Sequence, residues 1–387
     1  MKQAIKLAYR NLIGAGLRTW LNVSVLSFSF VVILFYNGLI DGWNKQARRD
    51  TIEWETGNGH LTHHLFDPFD PYTILDGHAS INDLDVSDLN PVLVRQASIY
   101  PEGRMLTVAL KGIKPNQSAL KLPTQMLDTN CTEIPLLIGQ NMARSSGLRK
   151  GDIALLQWKD KNGTLDAADA IIVDVFKTTV PTIDGGQLYT SINRLWEITN
   201  LKNEATFLIA NKDYNGSGNI ENWVFKTQDE LLATLDKVIA TEKASGSIFY
   251  ILLMLIALLA IFDTQVLSIF RRQKEIGTYM ALGMTKSQVV KLFTIEGLMY
   301  SILAMIVGCT WGIPILNYFA NNGIPYPIDN MDDFGISISS IMYPIYSLKL
   351  ILGTVIAVVI SATIVSYLPA RKITKMNAVD ALKGKLQ

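Results

Sequence analysis

The side chains best equipped for chemistry lie in one short stretch of histidine and aspartate. His60, His63 and His64 fall within five residues, and Asp67 and Asp70 follow them. Imidazole nitrogens and carboxylate oxygens are competent metal ligands. Their spacing fits no established metal-binding pattern, however, and no Ser/His/Asp or Cys/His set can be recognised. We therefore predict a chain with no catalytic residue, no metal site and no cofactor of its own.

A basic segment, residues 271–283, has a different potential, which is to bind another protein. Its sequence is RRQKEIGTYMALG, between two long apolar stretches. The pattern predicts a helix over Gln273–Leu282 that ends at Gly283, because glycine adopts a positive φ at little steric cost. Thr285 and Gln288 have the form of a capping box, so a second helix should begin there. The resulting exposed turn would fit a groove on a soluble partner; an ordinary interhelical loop is the alternative.

Four apolar stretches must position that segment. They are Leu21–Ile40, Ile248–Phe270, Leu298–Phe319 and Leu350–Leu368. Each has about the 20 residues that a helix needs to cross a hydrocarbon core. The chain is 49% hydrophobic, with a mean hydropathy of +0.23. We predict four transmembrane helices, the first retained as an anchor because its apolar core is too long for a signal peptide.

The distribution of charge predicts the orientation. Residues 1–20 carry four basic residues and no acidic residue. Residues 271–291 and residues 371–387 each carry five basic residues and one acidic residue. Residues 41–247 carry 20 basic and 27 acidic residues. Because basic segments remain in the cytoplasm, we place both termini inside and residues 41–247 outside.

The predicted fold class is a membrane protein with four transmembrane α-helices and a large mixed α+β extracytoplasmic domain. Residues 1–20 are read as a cytoplasmic amphipathic helix, or simply as flanking positive charge. The remaining segments are a cytoplasmic loop at 271–297, a short outer loop at 320–349 and a cytoplasmic tail at 369–387.

Several elements are predicted within residues 41–247 from the periodicity. Strands are expected at Leu106–Ile113, Ile153–Trp158, Asp169–Phe176 and Thr206–Ala210. Helices are expected at Leu136–Gly147 and at Asp229–Ala240, the second continuing almost straight into the second span. Residues 66–78, which contain two prolines and a glycine, are expected to be an extended loop.

Polar and small residues in the apolar stretches suggest further roles. Asp263 is the only ionisable residue in the second stretch, and Glu296 lies just before the third. A carboxylate in hydrocarbon is costly, so Asp263 should contact a partner or water, be protonated, or reach the surface beside the following arginines. Gly308 and Gly312 form a Gly-x-x-x-Gly pattern that permits close helix packing, although chance also produces it.

The basic segment resembles the coupling loop of FtsX-like and MacB-like permeases of ABC transporters. The matching residues are Glu275, Ile276, Gly277, Ala281 and Gly283. Glu296 matches a common glutamate at the start of the third span, whereas Arg271 and Asp263 stand where the family usually has Glu and Asn. We call residues 271–283 the coupling segment.

The resemblance extends along the chain. Matching residues near the N-terminus are Ala8, Arg10, Asn11, Leu12, Arg18, Thr19 and Leu21, and those in the outer domain are Ile138, Gly139, Ala143, Leu148, Gly151 and Asp152. Pro369–Lys372 and Ala378–Leu382 resemble the family's ending. The order of these motifs and the predicted topology agree with the family.

This resemblance implies a set of partners. Two such permeases, as copies or as paralogues, pair in the inner membrane and recruit a separate ATPase that binds ATP and magnesium. The sequence itself contains no Gly-x-x-x-x-Gly-Lys-Ser/Thr phosphate loop. The residues implied in ATPase coupling are Arg272, Glu275, Ile276, Gly277, Ala281, Leu282 and Gly283. No nucleic-acid partner is expected.

The size of the predicted outer domain is most similar to that of lipoprotein-releasing permeases. The expected substrate is a lipid-linked or amphipathic molecule, handled with membrane lipids at the outer face of the inner membrane and passed to a periplasmic carrier or adaptor. Two alternatives remain open: MacB-like export of peptides or drugs, and FtsX-like signalling to a cell-wall hydrolase.

Overall fold

A computed structural model describes residues 17–129, 131–212, 214, 220, 222–325 and 341–375. Most of the predicted amphipathic helix at 1–20, the middle of the loop at 320–349 and the end of the tail at 369–387 lie outside the described residues. The chain divides into two compact units. The helical unit comprises Met1–Trp43, Ile239–Ile324 and Tyr343–Gln387, and the β unit comprises Asn44–Val238 and Pro325–Met342.

The α-helices have the following bounds. They are α1 Leu17–Thr51, α2 Gln140–Ser146, α3 Pro181–Asp184, α4 Ile192–Thr199, α5 Gln228–Leu231, α6 Ala233–Arg271, α7 Gln273–Ala281, α8 Lys286–Asn322 and α9 Leu348–Ala370. A π-helical turn, Ile52–Thr56, follows α1, and short 3-10 segments include Pro71–Ile74 and Arg371–Lys375. Residues 66–78 thus contain one turn of helix, where the sequence predicts only an extended loop.

The strands lie mostly in the β unit. They are β1 His60–His63, β2 Ala79–Ser80, β3 Leu89–Tyr100, β4 Leu106–Ile113, β5 Ile134–Gly139, β6 Ile153–Lys159, β7 Leu165–Phe176, β8 Gln187–Ser191, β9 Glu204–Ala205, β10 Phe207–Ala210, β11 Trp223–Lys226, β12 Ile324–Pro325 and β13 Ile341–Met342. The strands predicted at 106–113, 153–158, 169–176 and 206–210 are therefore present, with small differences at their ends.

The helical unit is built on α1, α6, α8 and α9. Among the described residues these are the helices long and apolar enough to cross a membrane, judged by length and composition. Each is longer than the apolar stretch that predicts it. Their shared core includes Leu26, Phe30, Ile261, Tyr300 and Ala362.

Helix α8 contacts α1 closely at the two glycines that the sequence singles out. A Cβ atom would lie 3.3 Å from Ser27 Oγ at Gly308 and 2.6 Å from Val31 Cγ2 at Gly312. Trp311 Nε1 donates a hydrogen bond of 2.9 Å to Ser27 Oγ. Because glycine has no side chain, the two helices come close enough for this hydrogen bond to form.

The β unit is organised around one nine-stranded sheet. Its strand order is β11-β1-β10-β3-β4-β8-β5-β7-β6, and β3 also pairs with β6. The first part of β3 pairs with β10, while Ala97–Tyr100 pair with β6 on the same side. This second pairing closes six strands into a barrel, so the edges of β3 and β6 that face one another are satisfied.

The predicted helix at Leu136–Gly147 is wrong in its first part. Residues Ile134–Gly139 form β5, and only Gln140–Ser146 are helical. All six residues of β5 are buried, and the strand runs parallel to β7 and antiparallel to β8. A strand buried on both faces gives a continuous apolar run, which periodicity does not separate from a helix. The helix predicted at 229–240 is interrupted at Leu232, where α5 ends and α6 has not begun.

Replacing Gly312 by leucine should lower the thermal unfolding midpoint of the purified chain in detergent. The added side chain must displace Val31, and overpacking of this kind costs about 1–3 kcal/mol. Gly353→Leu on α9 is the matched control, because no atom lies within 4 Å of a Cβ there. Equal midpoints for the two variants would show that the close contact between α8 and α1 is absent.

Candidate functional site

The coupling segment forms a short helix and a sharp turn between two long helices. Helix α6 ends at Arg271, Arg272 leaves the helical conformation (φ −103°, ψ 22°), and α7 covers Gln273–Ala281. Gly283 follows with φ +96°, in the left-handed region that favours glycine. The helix, the glycine and the turn lie where the sequence predicts them.

The start of α8 is fixed by a capping box. The side chain of Thr285 accepts a hydrogen bond from Gln288 N, and the side chain of Gln288 accepts one from Thr285 N. Both signals are local in sequence, so the beginning of α8 is also as predicted. In addition, Lys286 Nζ donates to Thr374 O over 2.9 Å, which joins this end of α8 to the segment after α9.

One face of α7 is buried and serves as an anchor. Ile276 is 0% exposed and packs with Phe293, Ala370 and Ile373. Gly277, on the same face, is also buried. Both residues match the family motif, but their position gives them no access to a partner. The structure therefore places them beneath the docking surface that the sequence predicts.

The other face and the turn are exposed. Glu275, Ala281 and Gly283 are accessible, and Leu282 is 78% exposed. A large apolar side chain at the tip of an exposed turn is a suitable anchor for an apolar pocket on another protein. These exposed residues of the coupling segment define what we call the docking face.

Arg272 holds α7 to α8. Its Nε is 2.7 Å from Glu275 Oε2, and its Nη1 is 2.9 Å from Glu296 Oε2. Its guanidinium also lies over the Phe293 ring, 4.9 Å from the centroid. Burial acts to lower the pKa of Arg272, but the Glu296 and Glu275 carboxylates outweigh it and raise the pKa above its ordinary value. Arg272 therefore stays charged and links the two helices.

The two acidic residues predicted at the spans differ in position. Glu296 is 3% exposed and accepts the hydrogen bond from Arg272. Asp263 lies instead on the exposed face of α6. Only Glu296 is therefore part of the site around the coupling segment.

Phe293 was not singled out by the sequence, although it contacts both Arg272 and Ile276. It precedes Glu296 by three residues, so the two side chains share one face of α8. Helical spacing from Glu296 was the signal that could have indicated it.

The histidines near β1 have structural surroundings. His60 stacks on Phe207 with ring centroids 4.7 Å apart, and its Nε2 lies 3.3 Å from Glu55 O. Burial lowers the pKa of His60 to about 3. His78 Nδ1 contacts Glu204. In the part of the chain that the structure describes, no three His, Cys, Asp or Glu side chains are arranged to hold a metal ion.

The end of α1 is fixed within the β unit. Asp50 Oδ2 accepts a hydrogen bond of 2.7 Å from Thr179 Oγ1. Trp54, in the π-helical turn Ile52–Thr56, stacks on Phe176 with centroids 6.0 Å apart. Π-helical turns occur often at functional positions. A displacement of this part of α1 must therefore move the strands and loops that it contacts.

Ion pairs also join α1 to α5 and α6. Arg48 Nη2 lies 2.7 Å from Asp229 Oδ1 on α5, and Arg48 Nη1 contacts Asp236 on α6. Within the helical unit, Lys243 Nζ lies 2.8 Å from Asp41 Oδ1. Such exposed or partly exposed pairs contribute little stability.

The C-terminal part of the chain is similar to a known protein family. Residues 247–378 match the family model described as FtsX-like permease C-terminal. That range contains the coupling segment, α7, α8 and α9. This part of the chain is thus similar to FtsX-like permeases, and the resemblance to FtsX-like and MacB-like ABC permeases is confirmed. The four apolar helices fit such a membrane protein.

Individual relatives agree with this class. Over 156 residues, 40% of its length, the chain is 26% identical to Macrolide export ATP-binding/permease protein MacB 1 of Yersinia pestis bv. Antiqua (strain Antiqua). The same values hold for MacB 1 of Yersinia pseudotuberculosis serotype I (strain IP32953). The match spans only 21% of the length of each relative.

Replacing Arg272 by alanine should destabilise the protein markedly, because Glu296 loses its ion pair inside the helical unit. Breaking one side of a buried pair typically costs about 3–5 kcal/mol. The double variant Arg272→Met/Glu296→Leu removes both charges and should recover most of the thermal unfolding midpoint. If the single and double variants unfold at the same temperature, the pair does not hold α7 to α8.

The buried His60 should make the protein less stable in acid. The pKa of His60 is lowered in the folded state, so the unfolded chain binds a proton more readily than the folded chain. Protonation of the unfolded chain therefore lowers the free energy of unfolding as the pH falls below about 6.5. Between pH 7 and pH 5 the loss is about 2 kcal/mol. His60→Gln should reduce that acid sensitivity in thermal unfolding, whereas His64→Gln, at an exposed histidine, should not. Identical pH profiles for wild type and His60→Gln would contradict this account.

Proposed function

We propose that this chain is the membrane subunit of an ABC transporter whose separate ATPase binds the docking face. The observation that carries the proposal is the two-sided coupling segment. One face is buried against α8 and the residues after α9, while Leu282 and its neighbours form an exposed tip. An ordinary interhelical loop needs neither the buried ion pair nor the apolar tip.

Movement of the ATPase would reach the membrane helices through fixed contacts. A force on the turn acts on α7, which is held by the Arg272–Glu296 ion pair and by Ile276. Because protein interiors are close-packed and transmit displacement, α8 and the end of α9 must follow. ATP hydrolysis takes place on the partner, and this chain contributes no catalytic group.

The β unit is the proposed output of that motion. Helices α1 and α6 each contribute residues to both the helical unit and the β unit. The side chains of Asp50 and Trp54 fix the end of α1 to the β unit. We place the β unit outside the cytoplasm because residues 41–247 carry more acidic than basic residues, whereas the coupling segment is basic.

For the substrate, the proposal is a lipid-linked or amphipathic molecule at the outer face of an inner membrane. Lipoprotein release, with transfer to a periplasmic carrier, is the specific case supported by the size of the β unit. The second candidate is export of an amphipathic compound through a periplasmic adaptor, and the names of the MacB relatives favour it. In either case two permease chains, identical or paralogous, would pair.

The variant Leu282→Asp tests the docking face. A charge on the tip should reduce recovery of the ATPase with the tagged chain, in mild detergent, by about tenfold, since an apolar anchor at an interface contributes about 1–3 kcal/mol. Unfolding should be unchanged, because the side chain is 78% exposed.

Leu165→Asp provides the matched control, since Leu165 is a similarly exposed leucine in the β unit, at 60%. It should leave ATPase recovery intact. Full recovery of the ATPase with Leu282→Asp would show that the ATPase does not bind the docking face. Mass spectrometry of the same wild-type preparation identifies the substrate class: acylated lipoproteins support release, and a periplasmic adaptor supports export.

A further inference from the structure

Three buried polar atoms of the helical unit have no hydrogen-bond partner among the described residues. They are both amide atoms of Gln265 on α6 and the hydroxyl of Ser366 on α9. Both residues are 0% exposed. Between membrane helices there is no bulk water to satisfy such groups, so leaving them unpaired is unfavourable.

The two side chains converge on Gly297 of α8. A Cβ atom at this position would overlap Ser366 Oγ and Ser366 Cβ, and it would lie 3.3 Å from Gln265 Nε2. Glycine is therefore required where the polar groups of two different helices approach α8. We call Gln265, Gly297 and Ser366 the polar junction.

Not every polar group in this part of the membrane helices is left unpaired. Thr264, the residue before Gln265, accepts a hydrogen bond from Asn22 Nδ2 on α1. The neighbouring contact between α1 and α6 is thus satisfied, while the one among α6, α8 and α9 is not.

The polar junction lies next to the contacts that hold the coupling segment. Gly297 directly follows Glu296, the partner of Arg272. Gln265 lies close to Gly297 and Arg272 pairs with Glu296, so the two side chains approach consecutive residues of α8. A displacement passed from Arg272 to Glu296 must therefore also shift Gly297 relative to Gln265 and Ser366.

We propose that Gln265 and Ser366 are positioning residues for energy coupling: they are separate in the conformation described here and bond to each other when the coupling segment moves. Shifts of about 1–2 Å between packed helices are typical of switching proteins, and a shift of that size is enough to make or break a hydrogen bond. The polar junction then favours one arrangement of α9 on α8 over the other. This inference rests on the proposed function, because it needs an ATPase to move the segment.

Disulfide formation between engineered cysteines tests directly whether positions 265 and 366 approach each other. In a chain with Cys131→Ser and Cys309→Ser, the pair Gln265→Cys/Ser366→Cys is oxidised in complex with the co-purified ATPase, without nucleotide and with ADP-vanadate. The rate should differ about tenfold or more between the two states, in the range of typical coupling between sites. The control pair Asn22→Cys/Thr264→Cys, at the satisfied contact, should react equally in both.

Two single variants test the proposal without cysteines, so that it can be tested even if the double-cysteine chain misfolds. Gln265→Leu should leave the thermal unfolding midpoint unchanged or raise it, yet lower nucleotide-stimulated turnover of the complex about fivefold or more. Ile261→Leu on the same helix changes buried apolar packing alone and should lower neither the unfolding midpoint nor the turnover.

The outcomes separate this inference from the proposed function. If no ATPase accompanies the chain, the proposed function fails. If the ATPase binds and hydrolyses ATP, but the Gln265–Ser366 rate is the same in both states and Gln265→Leu is fully active, only the polar junction is wrong. A permanently bridging water molecule would give that second result and would overturn the proposal.

Discussion

The buried ion pair between Arg272 and Glu296 is the interaction on which the rest of the site depends. Helix α6 ends immediately before Arg272 and α7 begins immediately after it, so without this pair the short helix would be joined to the unit mainly by apolar packing. Buried ion pairs are poor sources of net stability, but they fix one arrangement over others because each charge needs its partner. Here the arrangement that is fixed is the direction in which the exposed turn points from α8.

This constraint divides the coupling segment between two tasks. The residues that match the family motif include Ile276 and Gly277, which are buried, as well as Glu275 and Gly283, which are exposed. The motif therefore includes residues that anchor α7 as well as residues that are exposed at the surface. An ATPase that pushes on the exposed turn acts on a body already attached to the membrane helices, so little motion is lost within the segment itself.

Local sequence signals were sufficient for part of this account. Gly283 and the capping box at Thr285 and Gln288 act within one turn of the chain, and they predicted the end of α7 and the start of α8 correctly. The four apolar helices were equally clear because their length is set by the thickness of a bilayer. These features need no knowledge of distant contacts.

Contacts between distant segments explain what the sequence could not provide. The apolar run Ile134–Gly139 became a strand because β7 and β8 cover it, and neither neighbour is close in sequence. Closure of the barrel depends on β3 pairing with β6, which local pattern does not encode. Gln265 and Ser366 are uncharged, so the sequence alone does not distinguish them from the other polar residues of the spans. An amide or hydroxyl in hydrocarbon carries a similar, weaker signal.

A photoreactive cross-linker at position 282 of the intact chain, activated in its native membranes, tests the central claim most directly. The account predicts that mass spectrometry of the cross-linked product identifies an ATP-binding subunit, and that the same cross-linker at position 165 does not capture it. Capture of that subunit from position 165 but not from position 282, or of no ATPase from either, would contradict the assignment of the coupling segment as the docking site.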